Sequence, residues 1–150
     1  MLGGVPEVQR RTVATLPTAV VAATTTWAEF PELWPRLLSG VHDAVTWGPG
    51  VRPGRNVMLY LDGTPRVEVG VLLEGAASVA SPAMRSALPA GEVATTVHVG
   101  GYDGLGAAHG AVLAWCKEHG LATTGVRWEV YGHWSDDPAE VRTEIAWQLG

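Results

Sequence analysis

Two segments in the last quarter of the chain each carry a glutamate at a position that could do chemistry, and in the first of them the glutamate alternates with aromatic rings. Residues 128–131 read Trp-Glu-Val-Tyr, and residues 142–145 read Arg-Thr-Glu-Ile. Side chains alternate between the two faces of a strand, so Glu129 and Tyr131 are expected to share one face. A glutamate among aromatic rings can meet a cationic ligand, or it can activate a water as a general base. The residues therefore raise two chemical hypotheses, binding and hydrolysis.

An earlier pair of segments, residues 56–61 and 66–72, repeats this pattern around an Asp-Gly-Thr-Pro turn. If the later hairpin closes symmetrically about Asp137-Pro138, Tyr131 lies near Glu144 and Glu129 lies near Ala146. The other face of each strand is then a dry core face covered by helices. The predicted open face collects six candidates, with Ala146 and Gly70 leaving room beside them: Glu129, Tyr131, Glu144, Met58, Tyr60 and Glu68.

Two interpretations fit such a face. Antiparallel sheets commonly expose one face to water, so these side chains can simply be solvated. Alternatively, the two halves form a ligand cleft along a pseudo-twofold axis, since pockets combine aromatic rings with a few polar groups. A carboxylate in such an apolar groove is expected to have a raised pKa.

The elements that must position these residues occur twice. Each half reads as two short strands, a helix and a hairpin, giving a β-β-α-β-β unit at about residues 6–73 and again at about 82–149. Strand-like runs cover residues 8–14, 18–25, 84–88 and 92–99, which are rich in Val and Thr. We predict an α+β fold, with one domain over residues 1–150.

Composition narrows the class of protein. The chain has 150 residues and a net charge of −5, which argues against nucleic acid as the main partner. It has a single cysteine, Cys116, and no run of about 20 apolar residues, so we expect a cytoplasmic protein without disulfides or membrane spans. Cys116 and His119 lack further ligands at useful spacing, and no nucleotide-binding motif occurs. We therefore expect neither a metal nor a cofactor.

The chain is rich in tryptophan, with 7 Trp against 1 Phe. Trp27 and Tyr102 stand at matching helix starts, which predicts a groove edge. Trp147 falls on a predicted core face, although a bend can turn it toward the groove. His98, just before the second helix, is a structural hydrogen-bonding residue or a ligand contact.

Several motifs together resemble the GyrI-like small-molecule-binding domains, which also serve as effector-binding domains of MerR-type and AraC-type bacterial regulators. They are the doubled β-β-α-β-β plan, residues 98–105 (His-Val-Gly-Gly-Tyr-Asp-Gly-Leu) and the segments 128–131 and 142–145. The resemblance covers about residues 6–149. It implies a curved antiparallel sheet with two helices on one face and a groove on the other.

The resemblance also implies a groove glutamate that meets flat, cationic drugs, and Glu129 and Glu144 occupy the matching positions. Ala146 stands where many relatives carry Tyr, which would reshape the pocket. Some family members are hydrolases that open the cyclopropane ring of DNA-alkylating natural products. For such an enzyme Glu144 or Glu129 would activate water and Tyr131 would orient it.

Our leading hypothesis is a stand-alone protein that senses or sequesters hydrophobic, aromatic, often cationic small molecules. The alternative is a cofactor-independent hydrolase that uses the same groove. A third possibility is a protein-interaction module, for example an inhibitor of a topoisomerase, and a homodimer also remains open. The expected ligand contacts are Trp27, Met58, Tyr60, Glu68, His98, Tyr102, Glu129, Tyr131, Glu144, Ala146 and Trp147.

Overall fold

A computed structural model describes residues 7–133 and 135–150, so the first residue of the predicted first repeat, Pro6, lies outside the described residues. Ten strands and two α-helices occur within them; eight of the strands and both helices follow the predicted order, and two short strands are additional. They are β1 (Gln9–Val13), β2 (Leu16–Thr24), α1 (Phe30–Ala44), β3 (Val45–Trp47), β4 (Asn56–Tyr60), β5 (Arg66–Leu72), β6 (Ala77–Val79), β7 (Met84–Leu88), β8 (Gly91–Val99), α2 (Leu105–Glu118), β9 (Thr123–Tyr131) and β10 (Arg142–Leu149).

Eight strands form one curved antiparallel sheet in the order β1-β8-β10-β9-β4-β5-β2-β7. The two halves meet where β4 pairs with β9, and the order of strands is the same when read outward from that junction. The edge strands are exchanged, because β1 pairs with β8 of the second half and β7 pairs with β2 of the first. A separate antiparallel pair joins β3 to β6. The predicted α+β fold is confirmed.

Both helices pack on the same face of the sheet. The α1 residues Phe30 and Val41 are buried against β5 and its neighbours, and α2 buries Val112 and Cys116 against Ile145. Burying one such apolar side chain contributes roughly 1.5–3 kcal/mol. None of the described helices is long and apolar enough to span a bilayer.

The register of the second hairpin differs from the prediction by one residue. Glu129 pairs with Ile145 rather than with Ala146, so Glu129 lies on the helix-bearing face and both Glu144 and Ala146 lie on the opposite face. The pairing centres on Asp137 itself, because the connection contains a 3-10 turn at Pro138–Glu140 rather than a symmetric tight turn. A one-residue shift moves every side chain of a strand to the other face.

The first hairpin follows the same pattern. Met58 pairs with Val69, which places Met58 and Tyr60 on the helix-bearing face. Glu68 pairs with Leu59, and both point to the opposite side. The expectation that Glu68 and Glu144 share a face with Glu129 is therefore wrong.

The face opposite the helices is also largely apolar and buried, instead of being open to a ligand. Leu59, Val93 and Trp128 belong to a buried cluster there, to which β4, β5, β7, β8, β9 and β10 contribute. Gly70 leaves no space for a guest, since a Cβ at that position would lie 1.9 Å from the carbonyl oxygen of Ala19 on β2. A cavity of about 580 Å³ lies on the helix-bearing face.

Candidate ligand-binding site

A cavity of about 580 Å³ lies between the two helices, above the junction of β4 and β9. This volume is within the usual range for small-molecule pockets. The α1 side supplies Phe30 and Trp34, and the segment leading into α2 supplies Tyr102. The full lining is Phe30, Trp34, Leu38, His42, Arg52, Pro53, Gly54, Arg55, Asn56, Met58, Tyr60, Tyr102, Leu105, Glu129, Tyr131, Gly132 and His133.

Glu129 is the buried carboxylate of this cavity, with only 5% of the residue exposed. Its Oε1 accepts hydrogen bonds from the hydroxyl groups of Tyr60, at 3.2 Å, and of Tyr131. Its Oε2 lies 2.7 Å from Nε2 of His109 on α2. A buried charge is tolerated when it is hydrogen-bonded in this way.

The hydrogen bonds set the charge state of Glu129. Burial alone raises its pKa, but the hydrogen bonds donated by His109, Tyr131 and Tyr60 outweigh burial, so the pKa lies below its ordinary value. The raised pKa expected from the apolar setting is therefore wrong, because the sequence did not reveal three donors. Burial and the adjacent carboxylate raise the pKa of Tyr60 and that of Tyr131. The site therefore holds one anion and two neutral phenols.

A chain of hydrogen bonds continues behind Glu129. The indole Nε1 of Trp147 donates to Nδ1 of His109 at 2.9 Å. Their rings meet edge to face, with centroids 5.8 Å apart. Trp147 thus contacts the site through His109 and does not line the cavity.

The guanidinium group of Arg127 lies among three aromatic rings beside the cavity, which together form a small aromatic cage. The guanidinium carbon of Arg127 lies 5.0 Å from the ring centroid of Tyr60, 5.2 Å from that of Trp147 and 5.8 Å from that of Trp27. Its Nη1 also donates to the carbonyl oxygens of Asp62 and Gly125. Trp27, predicted as a groove-edge ligand contact, forms one wall of this cage and packs against Tyr60 instead of lining the cavity.

The remaining predicted site residues lie elsewhere. Glu144 and Ala146 line a second cavity of about 130 Å³ on the opposite face, where Glu144 forms an ion pair with Arg55 at 2.7 Å. Glu68 accepts a hydrogen bond from the hydroxyl of Ser86 at 2.6 Å. Nε2 of His98 is bonded to the carbonyl oxygen of Gly101, so His98 supports the turn before α2.

The structure therefore brings together five of the predicted residues: Met58, Tyr60, Tyr102, Glu129 and Tyr131. It separates Glu144 from Glu129 by the thickness of the sheet, so the two do not form one catalytic group. Sequence reasoning missed the helix residues Phe30, Trp34 and His109. The apolar stripe of α1 signalled the first two, but such a stripe is typical of core packing.

No cluster of three or more His, Cys, Asp or Glu side chains suited to a metal occurs among residues 7–133 and 135–150.

Comparison with known proteins identifies the family. The family model of the GyrI-like small-molecule-binding domain matches residues 61–149, more than half of the chain. The chain belongs to the GyrI-like family. No curated protein sequence is significantly similar to it.

Solved structures share the fold of this GyrI-like chain. The C-terminal domain of EcmrR has a TM-score of 0.71 at 21% identity, covering 100% of this chain and 99% of that one. SAV2435 bound to tetraphenylphosphonium has a TM-score of 0.69 at 15% identity, covering 96% and 94%. A hydrolase from Listeria innocua has a TM-score of 0.61 at 11% identity, covering 96% and 92%. At these identities the likeness establishes the fold alone.

Proposed function

We propose that the cavity between α1 and α2 binds hydrophobic aromatic cations, as a sensor or a sequestering protein. The observation that carries the proposal is Glu129, an ionised carboxylate that is almost fully buried and faces a cavity lined by aromatic rings. The bonds from Tyr60, Tyr131 and His109 stabilise the negative charge without neutralising it. The cavity floor thus presents one buried carboxylate to a guest.

The physical argument favours a delocalised cation over a small, strongly hydrated one. Coulomb attraction increases where water is excluded, but a guest must also lose its own hydration. A bulky aromatic cation loses little hydration and gains apolar contact with Phe30 and Trp34 and cation–π contact with Tyr102. Such contacts have little directional preference, so we expect a site with broad ligand specificity.

Similarity supports the choice of ligand. SAV2435, which shares the fold, is known in complex with tetraphenylphosphonium. The proposal extends that ligand class to this chain on the strength of Glu129 and the aromatic lining. We also propose a cytoplasmic location, where the single cysteine, Cys116, would stay reduced.

A matched pair of ions tests the proposal. Tetraphenylphosphonium and tetraphenylborate have nearly the same shape and opposite charge. Titration calorimetry should detect binding of the cation and not of the anion. Quenching of tryptophan fluorescence is a second measurement of the same binding, because Trp34 lines the cavity. Equal affinity for both ions, or no binding of the cation below about millimolar concentration, contradicts the proposal.

Hydrolysis is the second candidate, and the imidazole behind Glu129 is the observation that favours it. A carboxylate paired with His109 can orient a water and accept its proton. The low pKa of Glu129 makes it a weak base, so only an activated electrophile, such as a strained ring, would react. Incubation with a cyclopropane-bearing substrate and mass spectrometry would show a product heavier by one water. Saturable binding with unchanged substrate favours the binding protein.

A further inference from the structure

We propose that Trp147 and His109 act as positioning residues that keep Glu129 a full anion, with the indole of Trp147 holding His109 in a single neutral tautomer. The inference deepens the proposed function, because it concerns the carboxylate that would meet the cation. It assigns a role to two residues that do not line the cavity.

The donor inventory determines the tautomer. An indole nitrogen carries a hydrogen and can only donate, so Nδ1 of His109, 2.9 Å from Nε1 of Trp147, must be an acceptor. A neutral imidazole has one N–H, which then lies on Nε2 and points at Oε2 of Glu129, 2.7 Å away. The hydrogen-bond partners therefore determine the role of both ring nitrogens: Nδ1 accepts and Nε2 donates.

This arrangement opposes a second proton on His109. Protonating Nδ1 would place two N–H groups against each other, one from the imidazole and one from the indole. With Nδ1 unprotonated, His109 donates a hydrogen bond to Glu129 without adding a positive charge. A protonated imidazole would instead form an ion pair with Glu129 and cancel the charge available to a ligand.

The groups around His109 act on its charge in opposite directions: the Glu129 carboxylate favours an imidazolium, whereas the indole N–H of Trp147 occupies the nitrogen that would take the second proton. On β9, Glu129 faces the imidazole, with Tyr131 bonded to the same carboxylate and Arg127 lying over the Trp147 ring at 5.2 Å. On β4, Tyr60 donates to Glu129. From β10 the facing group is Trp147 itself, which has no charge.

The test replaces the indole and keeps an aromatic ring. The imidazole ¹⁵N shifts of His109 and the affinity for tetraphenylphosphonium are measured in the wild-type protein and in Trp147→Phe, from about pH 5.5 to about pH 8, where an imidazole ordinarily titrates. The matched control is Trp115→Phe, because Trp115 stacks on His119 at 4.1 Å outside the cavity.

In the wild-type protein we expect Nε2 to carry the proton and Nδ1 to accept from the Trp147 indole over this pH range, and an affinity that hardly changes. In Trp147→Phe we expect His109 to gain a proton in acid and the affinity to fall about tenfold from pH 8 to pH 5.5, as the charge of Glu129 is cancelled. Trp115→Phe should resemble the wild-type protein.

Two results would overturn the inference. One is a wild-type His109 that carries a proton on Nδ1, alone or together with Nε2, which can be read without any ligand and without the variant folding. The other is a folded Trp147→Phe variant with the wild-type tautomer and a flat affinity profile. If the wild-type protein fails to bind the cation at every pH, the proposed function fails, while the ¹⁵N shifts still decide the tautomer.

Discussion

Replacing Glu129 by Gln removes the charge while keeping the shape of the side chain. For a guest cation centred about 5 Å from the carboxylate, at an effective dielectric constant of about 20, the Coulomb attraction is about 3 kcal/mol. The amide dipole of Gln retains part of this attraction, so we expect a loss of about 2 kcal/mol. That corresponds to roughly a 30-fold weaker affinity for tetraphenylphosphonium.

The same substitution should lower the free energy of unfolding. The amide oxygen of the new side chain can still accept from Tyr60 and Tyr131, but its NH₂ group would then face Nε2–H of His109. The imidazole cannot reverse its tautomer without opposing the indole of Trp147. Two buried donors facing each other cost about 1–3 kcal/mol.

The control is Glu144→Gln, which removes an equal charge from the opposite face of the sheet. Glu144 is 50% exposed at its side chain and paired with Arg55, so its loss should change the affinity for the cation less than twofold and stability by about 0–1 kcal/mol. Calorimetric titration gives the affinities, and urea denaturation followed by circular dichroism gives the stabilities. If Glu144→Gln weakens binding as much as Glu129→Gln, or if neither does, the placement of the ligand over Glu129 is incorrect.

Three further predictions concern charge and packing. The pKa of Glu129 is lower in the folded protein, so its contribution to stability is present above its ordinary pKa of 4.5 and is lost as the pH falls below that value. The difference in unfolding free energy between the wild-type protein and Glu129→Gln should therefore narrow in acid denaturation curves. A difference that widens in acid would contradict the assignment. Arg127→Gln should lower stability by about 1–2 kcal/mol, because three aromatic contacts are lost. It should nevertheless tighten binding of the cation in calorimetry, because a positive charge near the site is removed. Weaker binding would show that Arg127 does not oppose the guest. Gly70→Ala should destabilise the fold by more than about 2 kcal/mol in urea denaturation, since its Cβ would overlap the backbone of Ala19, whereas a neutral result would mean that β2 shifts easily.

The sequence predicted the elements and the chemistry of the site better than its geometry. Alternation within one strand correctly grouped Glu129 with Tyr131, and the doubled pattern correctly matched Tyr60 with Tyr131. Pairing between strands depended on the 3-10 turn at Pro138–Glu140, which composition does not reveal. As a result Glu144 lies on the face opposite Glu129, and not on the face of the predicted site.

His109 could not have been found by the same reasoning. It lies on a helix rich in Gly and Ala, and its two partners, Glu129 and Trp147, come from different strands. Long-range hydrogen bonds of this kind have no local sequence pattern. The lowered pKa of Glu129 was mispredicted for the same reason, because its donors come from β4, β9 and α2.

The two halves of the sheet are related in a way that explains why the floor carries one charge. If Tyr60 corresponds to Tyr131, then Met58 corresponds to Glu129, and the register pairs Met58 directly with Glu129. The pseudo-twofold axis therefore passes through this pair. The tyrosines flank the axis and both donate to the same carboxylate oxygen. Two glutamates at this point would repel each other, and one would hold a proton. With Met in one half, the symmetric scaffold presents a single anion to a single cation.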